Sequence, residues 1–468
     1  MNVHRIGMGG AILGAAAMIG CTVPKEAGFP DVAKSVASRT GHQIFWNQNS
    51  AADAEVEKVL RGMLRHELRP AEAVQIALLN NRNLQATYEE LMIAQADLVQ
   101  AGLLKNPVFD ASVRVSLEKG VTPLLDFDVG IDFLGVLLIP AKKRLAGAAF
   151  EAAKLRVGHQ VVELAYEVRA AYFTLQGAQQ IAAMRRAILD TAETSLDLAT
   201  RQHEAGNISD ADLGNEEALY EQVRMDLAKS RAEILMAREK LTRLMGLWGE
   251  DAGWTISDRL PDLPASDPPL EHVESIAVGQ RLDVAAARQE VQVRSYALAM
   301  ASNFRWLGAA SVGGHFEREP DGRFFGPMAS VELPIFDQKQ AVVAQLEAEL
   351  HQSQNRFRAR SVEARSEVRE ARGRVELARQ IADHYRTVVI PLRERLVALM
   401  QQQYDAMLVG VFQLLMAKQN EVSTYREYIE AVRDYWIARS DLDRAAGGRL
   451  TGPGVAQHTG HQHQENKR

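Results

Sequence analysis

The chain has 468 residues, 54 basic and 60 acidic side chains, a formal charge of −6 and a single cysteine. Its length exceeds one ordinary core, so several layers or repeated halves are expected. Mixed charge with modest glycine and proline excludes collagen-like and wholly disordered classes, no basic patch addresses nucleic acid, and no GxxxxGK(S/T), HExxH or paired CxxC pattern occurs.

The first twenty residues, MNVHRIGMGGAILGAAAMIG, place His4 and Arg5 before a short run of small and apolar residues. The run is too short to span a bilayer and right for a secretory signal. It ends in Met18-Ile19-Gly20-Cys21, which resembles a bacterial lipobox. Cys21 would then be the first mature residue and would carry the covalent lipid, several acyl chains together giving a stable anchor. Thr22 rather than aspartate follows, which in that pattern looks like an outer-membrane address.

An amphipathic helix is predicted from about 71 to 104, opening after Arg69-Pro70 and ending at Asn106-Pro107. Two alternating segments follow. In 108–117, Phe109, Ala111, Val113, Val115 and Leu117 oppose Asp110, Ser112, Arg114 and Ser116; in 125–133, apolar odd positions oppose Asp126, Asp128, Gly130 and Asp132. Residues 141–204 lack proline and are rich in Ala, Leu, Glu and Arg, which predicts one very long helix or two stacked ones. Beyond a short turn, Tyr220, Leu227, Ile234 and Leu241 recur every seven residues, a stripe that packs against neighbouring helices as in a coiled coil.

The same order recurs in the second half. QHEAGNISDADL (202–213) lies over QYDAMLVGVFQL (403–414), and the same offset of 201 carries Gly246 onto Gly447 and the heptad stripe onto Tyr428, Tyr435 and Leu442. YEVRAAYFTL (166–175) matches SEVREARGRV (366–375), and LLNNRNLQATYEELMIAQADL (78–98) resembles AVGQRLDVAAARQEVQVRSYA (277–297). Two more alternating segments are expected at 306–316, with Ala310, Val312 and Phe316 against Ser311, Gly313 and His315, and at 324–333, with Phe325, Ala329, Val331 and Leu333 against Ser330 and Glu332. The chain therefore reads as a tandem duplication of a helix, two strands and two long helices.

Each strand is about ten residues, enough to cross an apolar layer when tilted. In a membrane barrel the apolar positions would face lipid, with Asp126, Asp128 and Asp132 facing water in the lumen. A soluble sheet with one wet face gives the same alternation. Four strands cannot close a barrel, and open sheet edges are not tolerated in lipid, so the membrane reading requires an oligomer: two chains give eight strands, three give twelve.

Together with the lipobox, these segments resemble the TolC family of outer-membrane efflux channels. The resemblance covers roughly residues 57 to 447 and rests on VQIALLNNRNLQATYEELMIAQADLVQAGLLKNP (74–107), EAGNISDADL (204–213), REKLTRLMG, ELPIF (332–336) and RSDLDRAAG in that order. It implies a mainly α fold with a membrane β-barrel: a homotrimer whose chains each give four strands to a twelve-stranded barrel and long coiled-coil helices to a periplasmic α-barrel. It implies a passive exit channel, not an enzyme, working with an inner-membrane pump and a periplasmic adaptor and needing no cofactor beyond the lipid on Cys21. The chain then divides into a signal peptide (1–20), an N-terminal and equatorial segment (21–70), a first repeat (71–255), a second repeat (256–450) and a disordered tail (451–468).

Val409-Gly410-Val411 is similar to the family's adaptor-receiving tip motif, glycine there permitting a tight turn. The first repeat carries Gly206, Ile208 and Ser209 at its tip. Where the family often places gate aspartates, this chain has Gln413 and Met416, so these are pore-lining candidates without an acidic gate. In the tail, His458, His461 and His463 have a spacing suited to loose binding of copper, nickel or zinc, set against a solvated tail with incidental histidines. The alternative from another class is a periplasmic coiled-coil lipoprotein scaffold or adaptor that forms no pore.

Overall fold

A computed structural model describes residues 23–115, 117, 123–267, 271–319 and 322–450. Cys21 and the histidines of the tail lie outside them. In chain order the elements are α1 (Phe29–Thr40), α2 (Ala51–Met63), α3 (Pro70–Asn80), α4 (Arg82–Gly102), β1 (Val108–Arg114), β2 (Leu124–Asp132), α5 (Phe133–Leu137), α6 (Ile139–Glu204) and α7 (Asp210–Met245). The second half follows with α8 (Val273–Gln280), α9 (Leu282–Asn303), β3 (Ala310–Glu319), β4 (Gly322–Val331), α10 (Gln340–His384), α11 (Ile390–Asp405) and α12 (Val411–Ala445). Among the described residues no helix is long and apolar enough to cross a membrane.

Two compact units are present. One holds the described part of Met1–Val32 with Tyr88–Val157 and Asp283–Arg360; the other holds Ala33–Thr87, Gly158–Leu282 and the described part of Ser361–Arg468.

The first unit contains one antiparallel sheet in the order β1-β2-β3-β4. Its register sets Phe127 opposite Ala111 and Phe316, Asp128 opposite Asp110 and His315, and Phe316 opposite Phe325. Because side chains alternate along a strand, all four strands share one parity: an apolar face with Phe109, Val113, Phe127, Val129, Val312, Phe316, Phe325 and Val331, and an opposite face with the acids. Phe109, Phe127 and Phe316 form an aromatic ladder with centroids 6.1 Å apart at each step, each step contributing about 0.5–1 kcal/mol. Gly313 faces Gly130 across β2 and β3, and a Cβ there would stand 2.0 Å from the Val129 carbonyl oxygen.

In the second unit the duplication is visible atom by atom. α3 breaks at Asn81 (φ −62°, ψ 118°) and α8 at Arg281 (φ −65°, ψ 125°), both extended. The expected single helix from 71 to 104 is thus two helices. Asn81 makes the break: its amide nitrogen donates to the Leu244 carbonyl and its side-chain oxygen accepts from the Leu84 backbone, capping α4. Asn81 and Arg281 are 200 apart, one residue away from the pairing that the sequence match of 78–98 with 277–297 implies.

α6 is a single helix of 66 residues, about 100 Å long at ~1.5 Å per residue. Its counterpart is interrupted by a π turn, Tyr385–Val389, immediately before Ile390-Pro391. Proline cannot donate to the carbonyl four residues back and crowds it, and a wider turn accommodates it. The expected heptad stripe is buried at Leu227 and Leu241 in α7 and at Tyr435 and Leu442 in α12. A second stripe, not foreseen, runs through Val161, Val168, Leu175 and Ala182 in α6 and Val368, Val375 and Ala382 in α10, all buried. Alanines at 371, 438, 445 and 446 pack beside Tyr435 and Val368, letting these helices approach closely. The Tyr435 hydroxyl donates to Asp267 at 2.5 Å, and Arg379 meets the other oxygen at 3.0 Å.

Candidate functional site

The polar face of the sheet carries a charge network built by register. Asp126 is 7% exposed; its Oδ2 accepts from Arg114 at 2.7 Å and Ser112 at 2.9 Å. Arg114 also reaches Glu317 Oε1 at 3.5 Å. His315 donates from Nδ1 to Asp128 at 2.6 Å, since a carboxylate can only accept. Asp132, at the strand end, accepts from the Gly135 backbone as the N-cap of α5 and pairs with Lys105 at 2.8 Å. The opposite face is apolar and open: Phe109 is 62% and Phe325 80% exposed. Its exceptions are Arg318 and Arg323, paired at the hairpin end, where long cationic side chains reach polar surroundings. β1 and β4 each have one edge without a strand partner among the described residues.

β3 begins at Ala310 and continues to Glu319, rather than spanning 306–316. The shift matters because it brings Glu317 onto the polar face beside Arg114 and His315. β1 ends at Arg114, and β4 spans Gly322–Val331.

Both helical tips share one geometry. The Asn207 backbone donates to the Gln202 carbonyl across Gly206 (φ 75°), and that of Leu408 to Gln403 across Met407 (φ 59°). These are the same helix-ending motif at an offset of 201. Gly410 has φ −79° and is the helix N-cap, so it is not the residue that makes the turn; Met407 takes that role against its own steric preference. In the first tip Ser209 and Asp212 form a capping box, and His203 Nε2 lies 2.6 Å from Asp210. Met407 is 94% and Leu408 75% exposed.

Residues 73–247 match the family described as outer membrane efflux protein. The chain is 21% identical over 386 residues, 80% of its length and 89% of the relative's, to the cobalt-zinc-cadmium resistance protein CzcC of Cupriavidus metallidurans. In this chain the matched residues all lie within the first repeat. Its fold is shared with the Campylobacter jejuni CmeC outer membrane channel, at a TM-score of 0.71 and 16% identity over 81% of this chain and 85% of that one. It is also shared with CusC, at a TM-score of 0.67 and 17% identity over 83% of this chain and 94% of that one.

In this chain the strand register decides which of the residues expected from the sequence meet. Its structure brings Asp126 and Asp128 into one network with Arg114, His315 and Glu317, of which sequence reading singled out only the two aspartates. Ile208, Ser209, Val409, Gly410 and Val411 sit in the tips, beside the helix ends that they close. Gln413 and Met416 lie in α12, exposed, along a groove with Arg393, Met400 and Asn420.

Proposed function

We propose that this chain is the outer-membrane outlet of a tripartite pump for divalent metal ions, assembled as a homotrimer and anchored by lipid on Cys21. The observation that carries the reading is the single-parity sheet: one face apolar and exposed, the other charged, with two open edges. Backbone groups on an open edge cannot be left unpaired in lipid, so strands from neighbouring copies complete the ladder. Three chains give twelve strands, wide enough for water within. A non-porous scaffold would leave the exposed apolar face without a partner.

The substrate class is supported by the likeness to a cobalt-zinc-cadmium resistance protein and by acids on the face assigned to the lumen: Asp126, Asp128 and Asp132. Gln413 and Met416 line the pore near the second tip. The tips at Val409, Gly410 and Val411, and at Gly206, Ile208 and Ser209, receive the periplasmic adaptor, which links the tube to an inner-membrane pump. Deleting the chain in cells that keep its pump and adaptor lowers tolerance to zinc, cobalt or cadmium; unchanged tolerance to all three, with no other exit channel present, contradicts the metal reading.

A further inference from the structure

Outside the tips, the described residues hold a cluster in which atoms of Asp126, His315 and Glu317 that could bind a metal lie within 4.8 Å of one another. Three features make it more than a set of acids. Asp126 is buried, and although its Oδ2 serves Arg114 and Ser112, its Oδ1 is buried with no hydrogen-bond partner. His315 is oriented: Asp128 holds Nδ1 at 2.6 Å, and Nε2, which carries the lone pair in the Nδ1–H tautomer, lies 3.7 Å from Glu317 Oε2. This carboxylate-to-histidine arrangement fixes ring and tautomer behind a metal ligand. Arg114 takes Asp126 Oδ2 and Glu317 Oε1, and so leaves Asp126 Oδ1 and Glu317 Oε2 without an arginine partner.

We propose that Asp126, His315 and Glu317 form a transit site for a divalent transition-metal ion, one per chain, with Asp128 as a positioning residue. The site rests on the reading of this face as the channel's inner wall. One imidazole nitrogen and two carboxylate oxygens suit zinc, cobalt or nickel and leave a coordination position for water. Ligand atoms around tetrahedral zinc stand about 3.4 Å apart, so closure from 4.8 Å needs side-chain movements of about 1 Å. Arg114 sets the affinity: its charge beside the ligands weakens the hold, as conduction requires an ion that enters and also leaves.

The test uses the purified full-length protein, with His458, His461 and His463 replaced by glutamine in every sample so that the tail contributes no binding. Zinc alone is the probe, by equilibrium dialysis and by block of potassium current in planar bilayers, each protein compared with its own zinc-free current. The expected result is one zinc per chain and a zinc-dependent block, with His315→Gln and Glu317→Gln each weakening binding at least tenfold and Asp128→Asn weakening it less. Size-exclusion chromatography verifies that each variant assembles. Channels that conduct potassium but bind zinc equally with and without His315 and Glu317 overturn the site. A protein that gives no current steps overturns the transit role together with the channel reading, and zinc binding measured by dialysis tells the two failures apart.

Discussion

Gly447 lies so close to the backbone of Arg281 that a Cβ on the glycine would stand 2.9 Å from the arginine's nitrogen and Cα. Gly246 has the same relation to the first repeat, 2.9 Å from the Asn80 carbonyl oxygen and 3.0 Å from the Asn81 Cα. Both glycines are left-handed, with φ of 80° and 69°. Each copy of the repeat thus locks its last helix onto the break in its first, and only glycine satisfies both the space and the backbone.

Gly246→Ala and Gly447→Ala should each destabilise by about 2 kcal/mol or more, the left-handed conformation alone costing ~1–2 kcal/mol and the backbone contact adding to it. Gly214→Ala, near the start of α7 with nothing near its Cβ position, should stabilise by about 0.5–1 kcal/mol. Thermal unfolding followed by circular dichroism in detergent compares the three.

The two faces of the sheet should respond oppositely to charge. Val129→Arg places a cation on the apolar face and should cost ~2–4 kcal/mol of membrane insertion, seen as loss of assembled protein from the outer-membrane fraction. Asp110→Arg, on the polar face, should leave assembly intact. Equal loss from both would contradict the assignment of faces.

Much of this was legible in the sequence because the period-two and period-seven patterns depend only on neighbouring positions. The strand parity at Phe109, Phe127 and Phe316 and the stripe through Tyr435 and Leu442 emerge from spacing alone. The breaks at Asn81 and Arg281 did not, because neither residue is a helix breaker by itself; each break is made by a helix end about 165 residues away in sequence, through bonds such as Asn81 to Leu244. The cluster at His315 was hidden for the same reason. Its pairing with Asp128 spans 187 residues and depends on the register between β2 and β3, which no local pattern encodes. At the second tip, glycine at 410 drew attention from Met407, since methionine carries no signal of a left-handed turn.

His42 provides a pH test away from the sheet. Burial, then the positive charge of Arg449, holds its imidazole below the ordinary range, against an opposing hydrogen bond from Gln75 and with a further push from Arg169. The unfolded chain therefore takes up this proton first. Stability from His42 is full above the unfolded value of about 6.5 and is lost as pH falls through it toward the lower folded value. His42→Gln should flatten the fall in stability as pH drops below about 6.5; an unchanged slope would show that the imidazole titrates freely in the fold.

For the tips, Val411→Asp should weaken capture of the cognate adaptor by tenfold or more, by placing a charge in an apolar contact worth about 1.4 kcal/mol or above. His203→Ala removes the clasp to Asp210 in the first tip and should reduce capture less. Surface plasmon resonance with immobilised adaptor measures both. An adaptor that binds both variants as well as the parent places its contact elsewhere.

The most direct measurement of the central claim is single-channel recording from the purified, detergent-extracted protein in a planar bilayer. Strands contributed by several copies to one closed, water-filled wall predict discrete current steps that favour cations. A folded protein that leaves the bilayer electrically silent at every concentration would contradict it.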